Sequence, residues 1–89
     1  MDQLMNVGFG NVVNTGKIVS VISADSAPAR RMIQTAKEQN ILVDATQGRR
    51  TKSLILTDSR YLVSSALSPE TLMARFNMGL QQKEDFDEE

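Results

Sequence analysis

The stretch DATQGRRTKS, residues 44–53, lies between two short apolar runs, ILV at 41–43 and LIL at 54–56. Runs of that length suit strands, so the segment between them reads as a solvent-facing hairpin turn built on QGRR. A turn has a use for Gly48. It has none for Arg49, Arg50 and Lys52, three cations within four positions. Neighbouring residues of a regular strand point to opposite faces, so both arginines can meet one partner only from a turn or loop. Gly48 lets the backbone approach a ligand there, and two guanidinium forks match phosphate oxygens.

Working outward, three strands follow one another: ILVDAT, then TKSLILT, then RYLVSSAL, the last two joined by Asp58-Ser59. Ser68-Pro69-Glu70 has the cap-then-proline order that starts a helix. Leu72, Met73, Phe76 and Leu80 line one side of it, and Gly79 with the polar residues beyond should end it. Upstream, Asp25 or Ser26 can cap a first helix, Pro28 fits its first turn and Asn40 suits its stop. Ala29, Met32, Ile33 and Ala36 share its inner face, leaving Arg30, Arg31, Lys37 and Glu38 mostly outward. Before it, GKIVSVIS at 16–23 reads as a buried strand with Val19 and Val21 opposite Ile18 and Ile22. The opening LMNVGFGNVV pairs with it through an NTG turn at 14–16. The order is β-β-α-β-β-β-α, an α+β domain with a mostly antiparallel sheet over residues 1–80.

Composition narrows the function. Eighty-nine residues make one small domain whose core is marginal, a condition that oligomerisation commonly remedies. The sequence contains neither cysteine nor histidine. That excludes disulfides, thiolate metal sites, the commonest metal ligand and the commonest general base. Nothing has the length of a membrane span or the layout of a signal peptide. The expectation is a cytoplasmic protein that is not an enzyme and needs no cofactor, metal, membrane or small-molecule substrate. Net charge is −1, but residues 1–82 carry nine cations against six anions, a net +3. The segment KEDFDEE, residues 83–89, carries one cation against five anions, a net −4. Residues 81–89 are thus expected to be an acidic disordered tail, a solubility device or a competitor with phosphate for the basic groups.

Other motifs are weaker. GFGN at 8–11 lacks the third glycine and the following helix of a dinucleotide loop, so Gly8 and Gly10 suit a bulge or close backbone approach. Asp44 and Asp58 have no histidine, cysteine or carboxylate cluster around them and serve turns. Arg30 and Arg31 alone would be a solvated helix face, while Lys17 could join Arg49 and Arg50 if two hairpin ends lie on one side. Four aromatics, Phe9, Tyr61, Phe76 and Phe86, do not form the stacking pairs of single-strand binders. Duplex DNA held through its phosphates fits better. A few phosphate contacts per subunit bind weakly, so several copies in one particle are implied.

The blocks NVGFGNVV, SADSAPARRMIQTA, LVDATQGRRTKSLILTDS and LSPETLMARF, in that order from about residue 4 to residue 76, resemble the RemA family of bacterial regulators. The resemblance implies a DNA-binding transcriptional regulator of extracellular-matrix and biofilm genes. It also implies a closed homo-oligomeric ring, with subunits similar to LytTR-type domains and a basic rim around which double-stranded DNA bends or wraps. By position it implies Arg49, Arg50, Lys52 and Lys17 as DNA contacts, with Arg30 and Arg31 as additional cations. Gly8, Phe9, Gly10 and Pro28 become candidates for the subunit interface. Gln47 stands where the family usually has tyrosine, and Lys17 and Lys52 where arginine is more usual. Nucleoid association follows from the DNA reading. The rival class is a ring-forming scaffold whose GRR turn docks acidic protein partners.

Overall fold

The computed structural model describes residues 3–81. Its elements are β1 (Leu4–Gly8), β2 (Asn11–Asn14), β3 (Ile18–Ser23), α1 (Ala27–Glu38), β4 (Leu42–Asp44), β5 (Ser53–Thr57), β6 (Leu62–Ser65) and α2 (Pro69–Gln81). The class is α+β as expected. The order differs at the start, because the opening run is two strands folded on each other. Phe9 and Gly10 turn the chain with φ of 56° and 78°, the left-handed pair that a two-residue primed hairpin requires. The register slips between Asn6 and Gly8, a bulge that accounts for Gly8 and its φ of 119°.

β1 and β2 form their own sheet, so Asn14-Thr15-Gly16 is not a hairpin turn. It opens a 3-10 turn, Thr15–Lys17, capped by the Asn14 side chain accepting from the Gly16 N–H at 2.8 Å. The second sheet has the order β3-β5-β6-β4, with β4 parallel to β6 and the other pairs antiparallel. β6 therefore lies between β4 and β5. Residues 45–52 are a connection across the end of β6, and the expected QGRR hairpin does not exist.

Each face of the four-stranded sheet carries one half of the core. Ile55 and Val63 point to the side covered by β1, β2 and α2, where they meet Met5, Val7, Ala45 and Leu72. Leu54 and Leu62 point to α1 and meet Ala29 and Ala36, with Met32 and Ile33 beside them. The LIL run of β5 is thus apolar on both faces, as a strand buried between two layers must be. On β3 a bulge between Ile18 and Ser20 resets the alternation. It sends Ile18 and Val21 together to the α2 side and Ile22 to the α1 side, where simple alternation had paired Ile18 with Ile22.

Caps behave as their residues dictate. Ser26 accepts from the Ala29 N–H at 3.2 Å and Pro28 occupies the first turn of α1, while Asn40 takes a left-handed φ of 60° just past its end. Ser68 accepts from the Thr71 N–H at 3.1 Å at the start of α2. That helix runs through Gly79 to Gln81, so glycine does not end it. Leu72 is buried, but Met73 and Phe76 are exposed, leaving most of the expected apolar side of α2 uncovered. Leu80 and the acidic segment lie outside the residues whose side chains are described.

Two fully buried serines fasten the layers. Ser65 donates to the Val7 carbonyl at 2.7 Å and accepts from the Leu67 N–H at 3.1 Å, while Ser53 donates to the Leu67 carbonyl at 2.6 Å. Removing the Ser65 hydroxyl strands a buried carbonyl and a partly buried N–H. Ser65→Ala should therefore lower unfolding stability by about 1–3 kcal/mol. Urea titration should show a lower midpoint with an unchanged slope, and an unchanged midpoint would mean that water replaces the hydroxyl.

Candidate nucleic-acid interface

The basic segment hangs from Asp44, the last residue of β4. Its Oδ1 accepts from the Thr46 hydroxyl at 2.6 Å, from the Thr46 N–H at 2.9 Å and from the Ser64 hydroxyl at 3.1 Å. The Thr46 hydroxyl, then the Thr46 N–H, hold the Asp44 carboxyl below its ordinary range against the opposing effect of burial, with lesser help from Ser64 and the charge of Lys37. Thr46 is thereby fixed, and its carbonyl accepts from the Arg49 N–H at 2.9 Å. Gln47 and Gly48 between them have φ of 54° and 79°, the signature of a primed turn. No atom would crowd a Cβ at Gly48. Its glycine is needed for the dihedral and not for space.

The cations leave this turn in different directions. The Arg49 guanidinium lies 5.7 Å from the centroid of the Phe9 ring, at the tip of the β1–β2 hairpin. Arg50 Nη2 lies 3.2 Å from Asp25 Oδ1, on the segment entering α1. Both side chains of that pair are mostly exposed, so it orients Arg50 more than it stabilises the fold. Lys52 returns the chain to the sheet: its N–H donates to the Ser65 carbonyl at 2.8 Å and its carbonyl accepts from the Ala24 N–H at 3.0 Å, leaving an exposed side chain. Phe9, Gly10, Arg49, Arg50 and Lys52 therefore share one end of the molecule.

Lys17 does not join them. It precedes Ile18, which pairs with Thr57, whereas Ser23 at the far end of β3 pairs with Ser53 beside the basic loop. At ~3.3 Å per residue, the length of β3 sets Lys17 on the order of 15–20 Å away. Arg30 and Arg31 are exposed on the first turns of α1, and Arg31 lines an open groove together with Pro28. Phe9 lies against Arg49, so the candidate interface residues Gly8, Phe9 and Gly10 meet the candidate DNA residues Arg49, Arg50 and Lys52 at one end. Pro28, Lys17, Arg30 and Arg31 lie elsewhere. Asp25 as partner of Arg50 went unforeseen, because the two lie 25 residues apart and no local pattern links them. Arg60 was missed as well, although a bulky residue two after Asp58 in a tight turn is a readable oddity; its φ is 80°.

A family model described as extracellular matrix regulatory protein A-like, RemA-like, matches residues 4–76. The chain belongs to the RemA-like family. It is 52% identical over 73 residues to a Brevibacillus brevis protein, covering 82% of this chain and 85% of that one. It is 45% identical over 87 residues to one from Caldicellulosiruptor saccharolyticus (98% and 83% covered). It is 49% identical over 74 residues to one from Trichormus variabilis (83% and 84% covered). All three relatives bear the name "Putative regulatory protein". The RemA-like family is thus a regulatory one, in agreement with the non-enzymatic reading.

Because the Asp44 carboxyl is held below its ordinary value of 3.8, its hydrogen bonds stabilise the fold above that pH. The stabilisation is lost as acid carries the folded protein down through the lowered value. Amide signals of Thr46 and Arg49 should therefore titrate together below about pH 4. Asp44→Asn should abolish that step and lower stability by about 1 kcal/mol. A step that survives the substitution would assign the titration to another carboxylate.

Proposed function

We propose that this RemA-like chain is a homo-oligomeric DNA-binding transcriptional regulator that grips the duplex backbone through the 47–52 loop of each subunit. The observation that carries the reading is the Asp44-anchored turn, which holds two arginines exposed at the end of a rigid sheet. Rigid presentation reduces the ordering cost of each phosphate contact, and guanidinium forks give it direction. Sequence is not read by such contacts, so target choice would come from duplex shape and deformability. Bending or wrapping follows if several copies present the loop along a closed rim.

Self-association is supported by what the described residues leave uncovered. Leu4 is 71% exposed, Val12 53%, Met73 61% and Met78 55%, all on the hairpin and α2. Apolar side chains clustered on that side of a small domain favour burial against another copy. A ring needs head-to-tail contacts between unlike patches. Lys17, at the opposite end from Arg49, would then reach the same DNA as a neighbouring copy's residue. No helix among the described residues is long and apolar enough to cross a membrane. A cytoplasmic, nucleoid-associated protein is the location this function calls for.

Anisotropy titrations with duplex DNA at several salt concentrations test the reading. Replacing Arg49 and Arg50 together with alanine should weaken binding to all duplexes and lower the log–log salt slope by about one unit per lost phosphate contact. Light scattering should show the same particle size as the unmodified protein, since both side chains are exposed. Unchanged binding would favour the scaffold reading.

Asp25 supplies a second, opposite expectation. Its carboxylate occupies the place on Arg50 that a phosphate oxygen would take, so Asp25→Asn should tighten binding and steepen the salt slope, by up to about one unit per engaged subunit. Equal affinities at every salt concentration would mean that Arg50 contacts no phosphate.

A further inference from the structure

α1 leaves part of its sheet face open at the end where β5 turns into β6 and β3 begins. The result is a groove of about 670 Å³ floored by Val19, Met32 and Leu56. Its rim carries Tyr61, half exposed, and the guanidinium-bearing residues Arg31 and Arg60. Among the described residues neither of these arginines has an ion-pair or hydrogen-bond partner, in contrast to Arg50 with its carboxylate and Arg49 with its ring. Arg60 is held in a left-handed conformation, φ 80°, by a turn that Thr57 closes through its hydroxyl to the Tyr61 carbonyl at 2.8 Å. Glycine or asparagine fits such a position without strain, so an arginine there is kept at a conformational cost. An apolar floor between two unpaired cations suits an aromatic or aliphatic anchor flanked by carboxylates.

One segment of this chain has that composition. In KEDFDEE, residues 83–89, Phe86 is flanked by Glu84 and Asp85 on one side and by Asp87, Glu88 and Glu89 on the other. We propose that the groove between α1 and the β3 edge is the docking site of this C-terminal segment, with Phe86 on the apolar floor and the flanking carboxylates at Arg31 and Arg60. The path is short. α2 packs against β3, an edge strand of the sheet, and Val19 of that same strand lines the groove on the other face. Four residues lie between Gln81 and Phe86, and those five steps reach up to ~17 Å. Tethering gives an effective concentration on the order of mM, so a weak site suffices. The acidic segment is thereby drawn to the Arg31–Arg60 groove and away from the Arg49–Arg50 loop, where a carboxylate and a ring already hold the guanidiniums. The proposal does not depend on whether the chain binds DNA.

The chain contains no tryptophan, so Phe86→Trp in the full-length protein is a single fluorescent reporter. Its emission should lie to the blue of a free peptide of residues 80–89 carrying the same substitution. It should move to the red when Arg31→Gln and Arg60→Gly are added, and also in 1 M salt, where the screening length falls to ~3 Å. Glycine at position 60 relieves the backbone, so loss of the blue shift cannot be ascribed to unfolding; circular dichroism should show an unchanged or higher melting temperature. Emission identical to the free peptide in the unsubstituted background would overturn the proposal. So would a groove whose true occupant is a second copy. In that case Arg31→Gln with Arg60→Gly would dissociate the particle equally in the full chain and in a chain truncated after Gln82.

Discussion

The parallel pairing of β4 with β6, which sets β6 between β4 and β5, forces residues 45–52 to cross the end of β6 before β5 can begin. The Asp44 carboxylate anchors the start of that crossing. A connection over a sheet end leaves backbone groups without ladder partners. Here the Thr46 N–H, the Thr46 hydroxyl and the Ser64 hydroxyl converge on one oxygen, so the first residues of the crossing are tied by hydrogen bonds to the strands they leave. The turn at Gln47 and Gly48 is built on that anchor, and the arginines on the turn. In the proposed DNA-binding role, a loop without such an anchor would have to be ordered on binding, at a cost to affinity.

Serine plays the complementary part within the sheet. Ser53, Ser64 and Ser65 are buried at the same end of β5 and β6. Larger apolar residues there would fill the space and leave the Val7 and Leu67 carbonyls without donors. The Ser65 hydroxyl instead ties the β1 hairpin, the Ser53 hydroxyl the β6–α2 link and the Ser64 hydroxyl the Asp44 carboxylate to the regular sheet. A small core gains little from such bonds in net free energy, and it gains definition. Every one of them has a single geometry in which both partners are satisfied.

What the sequence made readable follows from the range of each signal. Both helices and their serine caps, the inner face of α1 and the strand character of β3, β5 and β6 rest on local periodicity and capping. All of them are found in the structure. The insertion of β6 between β4 and β5 was not readable, because adjacent strands with a glycine turn between them suggest a hairpin and only tertiary packing says otherwise. The β3 bulge was hidden for a related reason. A continuous IVSVI run is apolar in either register, so nothing in it marks where the alternation resets. Of the candidate site, the 49–52 cations lie at one end of the molecule, but on a crossing over β6 in place of the expected hairpin tip. Lys17 is remote because its turn leads between two sheets and not back along a hairpin.

The strained residues tie these threads together. Among the described residues the left-handed non-glycine positions are Phe9, Asn40, Gln47 and Arg60. Asn40 is an ordinary helix stop. The other three are long or bulky side chains in turns where asparagine or glycine would cost less, by about 1 kcal/mol each. A small domain with a marginal core has little stability to spare for such choices. Each of the three lies where something projects from the fold: Phe9 under Arg49, Gln47 opening the basic turn, Arg60 at the rim of the groove. Turn residues selected for folding alone would be the small ones. Keeping the large ones makes sense where the tips of the β1–β2 hairpin, the crossing and the β5–β6 turn are surfaces that meet another molecule, or another part of this one.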